Sequence, residues 1–291
     1  MAKSFKNAEG LFGTQVLSAL QKEGTFNLSI LSCESCSSKF PPDIKVHEID
    51  DDYPIDQLTT AFKGQDALVS ILSGRPYTVH LRMIDAAIQA GVQRFIPTEY
   101  GNNNCVAAAE LGTLYAENAK TIADLKKHKD VGLIWMALST GQFFDWGLEA
   151  GWLDYHLKER KVSIYESGDK AWSTSILGTA GVAVVKVLLK PKQTEDKPVF
   201  VASFTVSQGQ VLEELEKAAG EKWEVRRMSS ADASKKMMMP DTTDGPKLLI
   251  LMLLYADDVD RGVDFAKGGL LGSREENLAE VVVRILKQQA S

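Results

Sequence analysis

The chain has 291 residues, 44% of them hydrophobic and 25% charged, with a formal net charge of −6. That length allows a sizeable core, and the composition shows no collagen-like, disordered or mucin-like bias. Scattered lysines and an acidic balance argue against a nucleic-acid surface. The longest apolar run, Leu248 to Tyr255, covers eight residues where a membrane helix needs about 20, so it reads as a buried helix and not as a membrane span. Cys33, Cys36 and Cys105 cannot all pair, and neither a secretory leader nor a targeting tail is evident, which predicts a cytoplasmic protein.

Gly10 and Gly13 open the first clear pattern. Residues 11 to 23 put Leu11, Val16, Leu17 and Leu20 on one face and Gly24 follows as a stop, which predicts a helix beginning near Gly10. Asn27 to Leu31 alternates as a strand, Lys45 to Asp50 is a weaker one, and Ile55 to Phe62 is a short helix. Ala67 to Leu72 is a continuous apolar run of the kind found in a sheet covered on both faces. Val79, Met83, Ile84, Ala87 and Ile88 then recur at helical spacing up to Gly91. Arg94 to Pro97 reads as a short buried strand, so Thr98-Glu99-Tyr100-Gly101 emerges at a strand's carboxyl end, where ligands bind in open α/β sheets. A helix over about 107 to 129 and a strand over Leu133 to Ala137 continue the alternation. The fold class predicted is α/β, a Rossmann-type doubly wound parallel sheet built from right-handed βαβ units.

From Thr140 the pattern changes. An aromatic loop, GQFFDWG, leads to a strand-like KVSIYESG and a helix from Leu177 to Lys190 closed by Pro191. Phe200 to Phe204 reads as a strand, Gln208 to Gly220 as a helix, Trp223 to Met228 as a strand and Leu278 to Gln289 as a terminal helix. Lys235 to Gly245, KKMMMPDTTDG, reads as a mobile loop. Residues 1–140 are expected to form the dinucleotide-binding lobe and 141–291 a smaller substrate lobe sharing one core with it.

Four stretches carry a family resemblance: IDAAIQAGVQRFIPTEYG (84–101), GLFG (10–13), ALSTGQFFD (137–145) and AWSTSILGTAGVAVVKVLL (171–189). Together they resemble the NmrA-like and isoflavone-reductase-like branch of the atypical short-chain dehydrogenases, abundant in fungi and plants. The resemblance implies an NAD(P)H-dependent oxidoreductase, with NADP or NAD as cofactor and a cleft for the small aromatic or secondary-metabolite molecule it reduces, as a monomer or homodimer. With the strand-end positions, it places cofactor contacts at Gly10, Leu11, Phe12, Gly13, Ser73, Thr98, Glu99, Thr140 and Phe143. Phe144 and Asp145 are candidates for the substrate. His156, beside Asp154 and Tyr155, is a candidate acid or base on the substrate side, and Met237 to Met239 are a candidate substrate wall.

The chain departs from that pattern at several points. The glycine-rich turn of the family has Asn7 at its first position, followed by Gly10 and Gly13. Asn tolerates a left-handed backbone, but Glu9 within about 4 Å of a phosphate would be repelled by about 1 kcal/mol even in water. Ala2 to Lys6, in the place of a central strand, carries two lysines, as a missing first strand, a decayed pocket or a mispredicted start would produce. After the second strand, Leu31-Ser32-Cys33-Glu34 offers an acid where the family commonly has an arginine for a 2′-phosphate, which weakens NADPH more than NADH.

The catalytic lysine of the family falls at Asn118, which hydrogen-bonds but does not exchange a proton near neutral pH. Lys120 is the nearest substitute, yet two residues along a helix turn it by about 200°. Tyr115 and Lys120 are five apart, not the four of a Tyr-x-x-x-Lys pair. Lys120, Asn118, Tyr100 and Tyr115 are therefore the catalytic candidates. Cys33 and Cys36 read as ordinary loop thiols, since no second pair completes a metal site. Two other functions fit the same residues. One is a redox-neutral isomerase, dehydratase or cyclase using Glu99, Tyr100, Tyr115, Asn118, Asp145 and His156; the other is a non-catalytic regulator that senses dinucleotide.

Overall fold

A computed structural model describes residues 2–4, 10–36, 39–72, 76–101, 113–237, 245–255, 265 and 276–289. In chain order the elements are β1 (Ala2–Ser4), α1 (Leu11–Glu23), β2 (Asn27–Cys33), β3 (Lys45–Ile49), α2 (Ile55–Phe62), β4 (Ala67–Val69), α3 (Tyr77–Ala90), β5 (Arg94–Ile96), α4 (Thr113–Lys127) and β6 (Ile134–Ser139). There follow β7 (Gln142–Phe143), α5 (Phe144–Glu149), β8 (Tyr155–His156), β9 (Lys161–Tyr165), β10 (Trp172–Ser175), α6 (Leu177–Leu189), β11 (Lys197–Phe200) and β12 (Phe204–Val206). The last are α7 (Gln208–Ala219), β13 (Glu224–Met228), α8 (Ser230–Met237), α9 (Gly245–Tyr255) and α10 (Leu278–Gln289). No helix among the described residues is long and apolar enough to cross a membrane.

The chain divides into two compact units, residues 1–139 with 178–200 and residues 140–177 with 201–291. The first holds a seven-stranded sheet in the order β11-β6-β5-β4-β1-β2-β3, with every neighbouring pair parallel. Strand order reverses between β1 and β4, and such a switch point opens a crevice at the carboxyl ends of the strands. Side-chain parity shows why β2, β4, β5 and β6 carry apolar residues on both faces. Leu31, Cys33, Leu68, Phe95, Trp135 and Ala137 point into a core shared with Leu58, Phe62, Val79, Met83, Ile122 and Leu125 of α2, α3 and α4. Their neighbours Ile30, Val69, Ile96, Met136 and Leu138 are also buried, on the opposite face.

Helices α1 and α3 end where glycine permits a left-handed residue. Gly24 after α1 has φ 71° and donates to the Leu20 carbonyl, and Gly91 after α3 has φ 75° and donates to Ala87 and Ile88. Helices α1 and α6 approach so closely that a Cβ on Gly181 would lie 2.8 Å from the Gln15 carbonyl oxygen. Arg94, buried at the amino end of β5, donates to the Pro191 carbonyl at 3.1 Å and to Thr194 Oγ1, and burial lowers its pKa.

The second unit contains two three-stranded sheets, β12-β10-β7 and β13-β9-β8. Its core includes Phe144, whose ring lies 5.3 Å from Phe204 and 6.4 Å from Trp172, centroid to centroid. Asp154, with φ 65°, accepts from the Tyr165 hydroxyl at 2.9 Å and from Lys247 Nζ at 2.8 Å, which joins β9 to α9.

Several elements differ from the sequence expectation. GQFFDWG is not a loop: Gln142 and Phe143 pair with β10, and α5 starts at Phe144, because buried Phe144 and Leu148 give it a core-facing side. The apolar run from Ala67 leaves the ladder after Val69, where Ser70 N–H still reaches the Ile96 carbonyl but Leu72 N–H turns to Thr98 Oγ1. Phe200 to Phe204 is two strand ends, since Phe200 pairs with β6 in the first unit and Phe204 with β10 in the second. The first three residues of the KKMMMPDTTDG stretch close helix α8. Of the helix expected over about 107–129, residues 107–112 lie outside the described residues; the rest is α4 from Thr113 to Lys127, with a separate 3-10 turn at Lys129–Val131. Residues 238–244 lie outside the described residues, as do Asn7, Glu9, Ser73 and Cys105.

Candidate functional site

The sheet order brings the ends of β1, β4 and β5 side by side, and α1 begins at the same edge. Gly10 is its N-cap, exposed and extended, with no side chain to cap the helix and no acidic residue in the first turn. The first N–H groups of a helix have no acceptor within it, so they present partial positive charge. A pyrophosphate fits such a terminus. Phe12 and Gly13 are buried, while Leu11 stays exposed. The Phe12 ring lies 4.5 Å from the Tyr100 ring, so the first turn of α1 packs on the segment after β5.

That segment is shaped from within. Thr98 Oγ1 accepts from Leu72 N–H at 2.8 Å and lies 3.0 Å from Ser70 Oγ, tying the carboxyl ends of β4 and β5 together. Glu99 is buried at 3% exposure. The Tyr100 hydroxyl is enclosed and has no hydrogen-bond partner among the described residues, and burial raises its pKa, so the phenol stays protonated at neutral pH. A buried O–H without an acceptor is costly to fold and is a donor for whatever binds beside it.

Helix α4 carries the remaining catalytic candidates. Asn118 is half-buried, and Lys120 on another side of the helix is 56% exposed at its side chain. Lys120 Nζ sits 2.7 Å from Glu117 Oε1, while Glu117 Oε2 accepts from the Tyr77 N–H at 2.7 Å. The Lys120 and Tyr77 hydrogen bonds lower the Glu117 pKa, so a carboxylate caps α3 and holds the ammonium. Of Tyr115 the structure describes only the helical backbone. Sequence reasoning missed Glu117 and Ser70. The Glu-x-x-Lys spacing on α4 is the signal that could have found the first; a serine inside an apolar run is a weak signal for the second.

In the second unit, Thr140 is buried and its hydroxyl donates to the Gly141 carbonyl at 3.1 Å. Phe143 lies in β7 and Phe144 is fully buried. Asp145 Oδ1 accepts from Trp146 N–H at 3.0 Å, and both its oxygens accept from Leu177 N–H at 3.0 and 3.2 Å, so it caps α6. Burial raises its pKa against those bonds. His156, 46% exposed at its side chain, has Nε2 3.7 Å from Asp154 Oδ1. The structure thus gathers Gly10, Leu11, Phe12, Gly13, Thr98, Glu99 and Tyr100 at one sheet edge, with Asn118 and Lys120 on a helix of the same unit. Thr140, Phe143, Phe144, Asp145 and His156 are in the other unit.

Residues 8–190 match a family model described as NAD(P)H-binding. The chain is 33% identical to Oxidoreductase aprR of Aspergillus flavus over 289 residues, 96% of this chain and 97% of that protein. Among solved structures it is similar to AtPrR2 with NADP+ and (+)pinoresinol, at TM-score 0.80 and 18% identity over 98% of each chain. It is likewise similar to an isoflavone reductase, at TM-score 0.78 and 17% identity over 97% of this chain and 98% of that one.

Proposed function

The chain belongs to the NAD(P)H-binding family, and from that membership we propose that it binds NAD(P)H at the carboxyl edge of β1, β4 and β5 and reduces a small aromatic or secondary-metabolite molecule in the cytoplasm. The observation that carries this reading is the N-terminus of α1, where the N-cap Gly10 is exposed and has no side chain of its own, beside the Phe12–Tyr100 contact. The N–H groups of that turn would hold the pyrophosphate, and the Phe12 and Tyr100 rings would support it from below.

Bound NAD(P)H supplies a hydride. The chain must supply the proton that completes reduction of a carbonyl or an activated alkene. Asn118 cannot, and the Lys120 ammonium is held by Glu117 at an exposed position. Tyr100 is the donor this edge offers. Its raised pKa keeps the O–H intact, and the alkoxide that hydride addition leaves on a carbonyl substrate, or the enolate it leaves on an activated alkene, is basic enough to take that proton, with solvent restoring it afterwards.

Single-turnover mixing of the protein and NAD(P)H with a panel of aromatic ketones and enones tests the proposal. Oxidation of the dinucleotide is expected, and Tyr100→Phe should lower kcat by about 10²-fold or more with KM little changed. Dinucleotide binding without turnover of any panel member would instead support the regulator that senses dinucleotide. That second reading is favoured by one observation, the engagement of Lys120 with Glu117 beside Asn118.

A further inference from the structure

In the sheet, β2 lies directly beside β1, and Glu34 is the residue that follows it. Glu34 stands 21 residues after Gly13. Its N–H donates to the Ile49 carbonyl at 3.0 Å, which extends the β2–β3 ladder by one step. The Glu34 side chain is exposed and makes no hydrogen bond or ion pair with a described residue. In a doubly wound fold the end of this strand faces the adenosine ribose. A carboxylate there accepts from the 2′-hydroxyl, whereas a 2′-phosphate calls for a cation.

The surroundings add negative charge. Strand β3 runs into Asp50, Asp51 and Asp52, and the Ser35 hydroxyl donates to Asp51 Oδ1 at 2.6 Å, so the turn carrying Glu34 is tied to that acidic run. Asp50 is held in place by Gln57, whose Nε2 donates to Oδ2 at 2.9 Å and whose Oε1 accepts from the Asp50 N–H at 2.9 Å. No arginine precedes Arg75 in the chain, and Lys39 is the sole cation between Leu31 and Ile44. A doubly charged 2′-phosphate would meet carboxylates here, while a free ribose diol would meet acceptors.

We propose that this site selects NAD(H) over NADP(H), with Glu34 as the specificity-determining residue for the adenosine ribose. The inference rests on the dinucleotide-binding reading above. It names which dinucleotide that edge takes and the side chain that decides it.

Titration calorimetry on the full-length protein with NADH and NADPH, for the native chain, Glu34→Gln and Glu34→Arg, reads the effect directly. Native protein should bind NADH about tenfold or more tightly than NADPH; Glu34→Gln should narrow the gap and Glu34→Arg should reverse the order. Glu34 is exposed, so both variants should keep the native circular dichroism spectrum. Adenosine 5′-monophosphate against adenosine 2′,5′-bisphosphate on the native protein repeats the comparison without a variant, and the monophosphate should bind more tightly. NADPH binding as tightly as NADH, or a preference unmoved by Glu34→Arg, overturns this inference and leaves dinucleotide binding intact. Failure of both dinucleotides to bind overturns the underlying reading, and this inference with it.

Discussion

Tyr100 shows what a single buried group can report. Its hydroxyl has lost water and gained no partner among the described residues, so its removal should not weaken the protein in the absence of ligand. Tyr100→Phe is expected to be neutral or to stabilise by up to about 1 kcal/mol in urea unfolding, even as it lowers turnover. A loss of more than that would mean that the hydroxyl has an acceptor in the folded chain. Glu117 is the opposite case, a carboxylate with both oxygens engaged. Glu117→Gln keeps an acceptor for the Tyr77 N–H but not the charge that holds Lys120. Lys120 lies on the exposed side of α4, so Lys120→Met should leave turnover within about threefold, whereas a drop of 10²-fold or more would restore it as a proton donor.

At the scale of the element, the contact between α1 and α6 is set by Gly181. A methyl group there would come within 2.8 Å of the Gln15 carbonyl oxygen and 3.2 Å of Gln15 Cβ, and a backbone atom cannot step aside as a flexible side-chain end can. Gly181→Ala should cost about 1–3 kcal/mol in denaturant unfolding, against the gain usually found for alanine within a helix. Helices α1 and α3 were legible because their apolar positions recur cleanly and glycine ends them, at Gly24 and Gly91. Shorter elements were not. Phe143 and Phe144 are adjacent aromatics, one in a two-residue strand and the other opening a six-residue helix, and so short a stretch carries no period to read. Thr98 was legible as a strand-end residue, but its bond to Leu72 N–H depends on the bend after Val69, a tertiary feature without a local signal.

At the scale of the whole molecule, the parallel sheet was foreseen from alternating strands and helices. The return of residues 178–200 to the first unit was not, because nothing local in α6 or β11 names the sheet they join, and only the pairing of β11 with β6 reveals their place. The second unit has its own acid-sensitive anchor. Burial alone would raise the Asp154 pKa, but the hydrogen bond and charge of Lys247, then Tyr165 and Ser163, outweigh it and bring it below its usual value of 3.8. A carboxylate depressed in the folded state contributes stability that is complete above its unfolded pKa and fades as pH falls through the folded one. Unfolding of the native protein should therefore steepen below about pH 4, and Asp154→Asn should cost about 2 kcal/mol at pH 7 and flatten that limb.

The central claim is that a dinucleotide binds at the N-terminus of α1, and backbone amide hydrogen exchange with and without saturating NADH tests it at that place. Slower exchange is expected over residues 10–14 and 98–101, with little change around Asp154 and Lys247. Unchanged exchange at residues 10–14 under conditions where calorimetry registers bound NADH would contradict it.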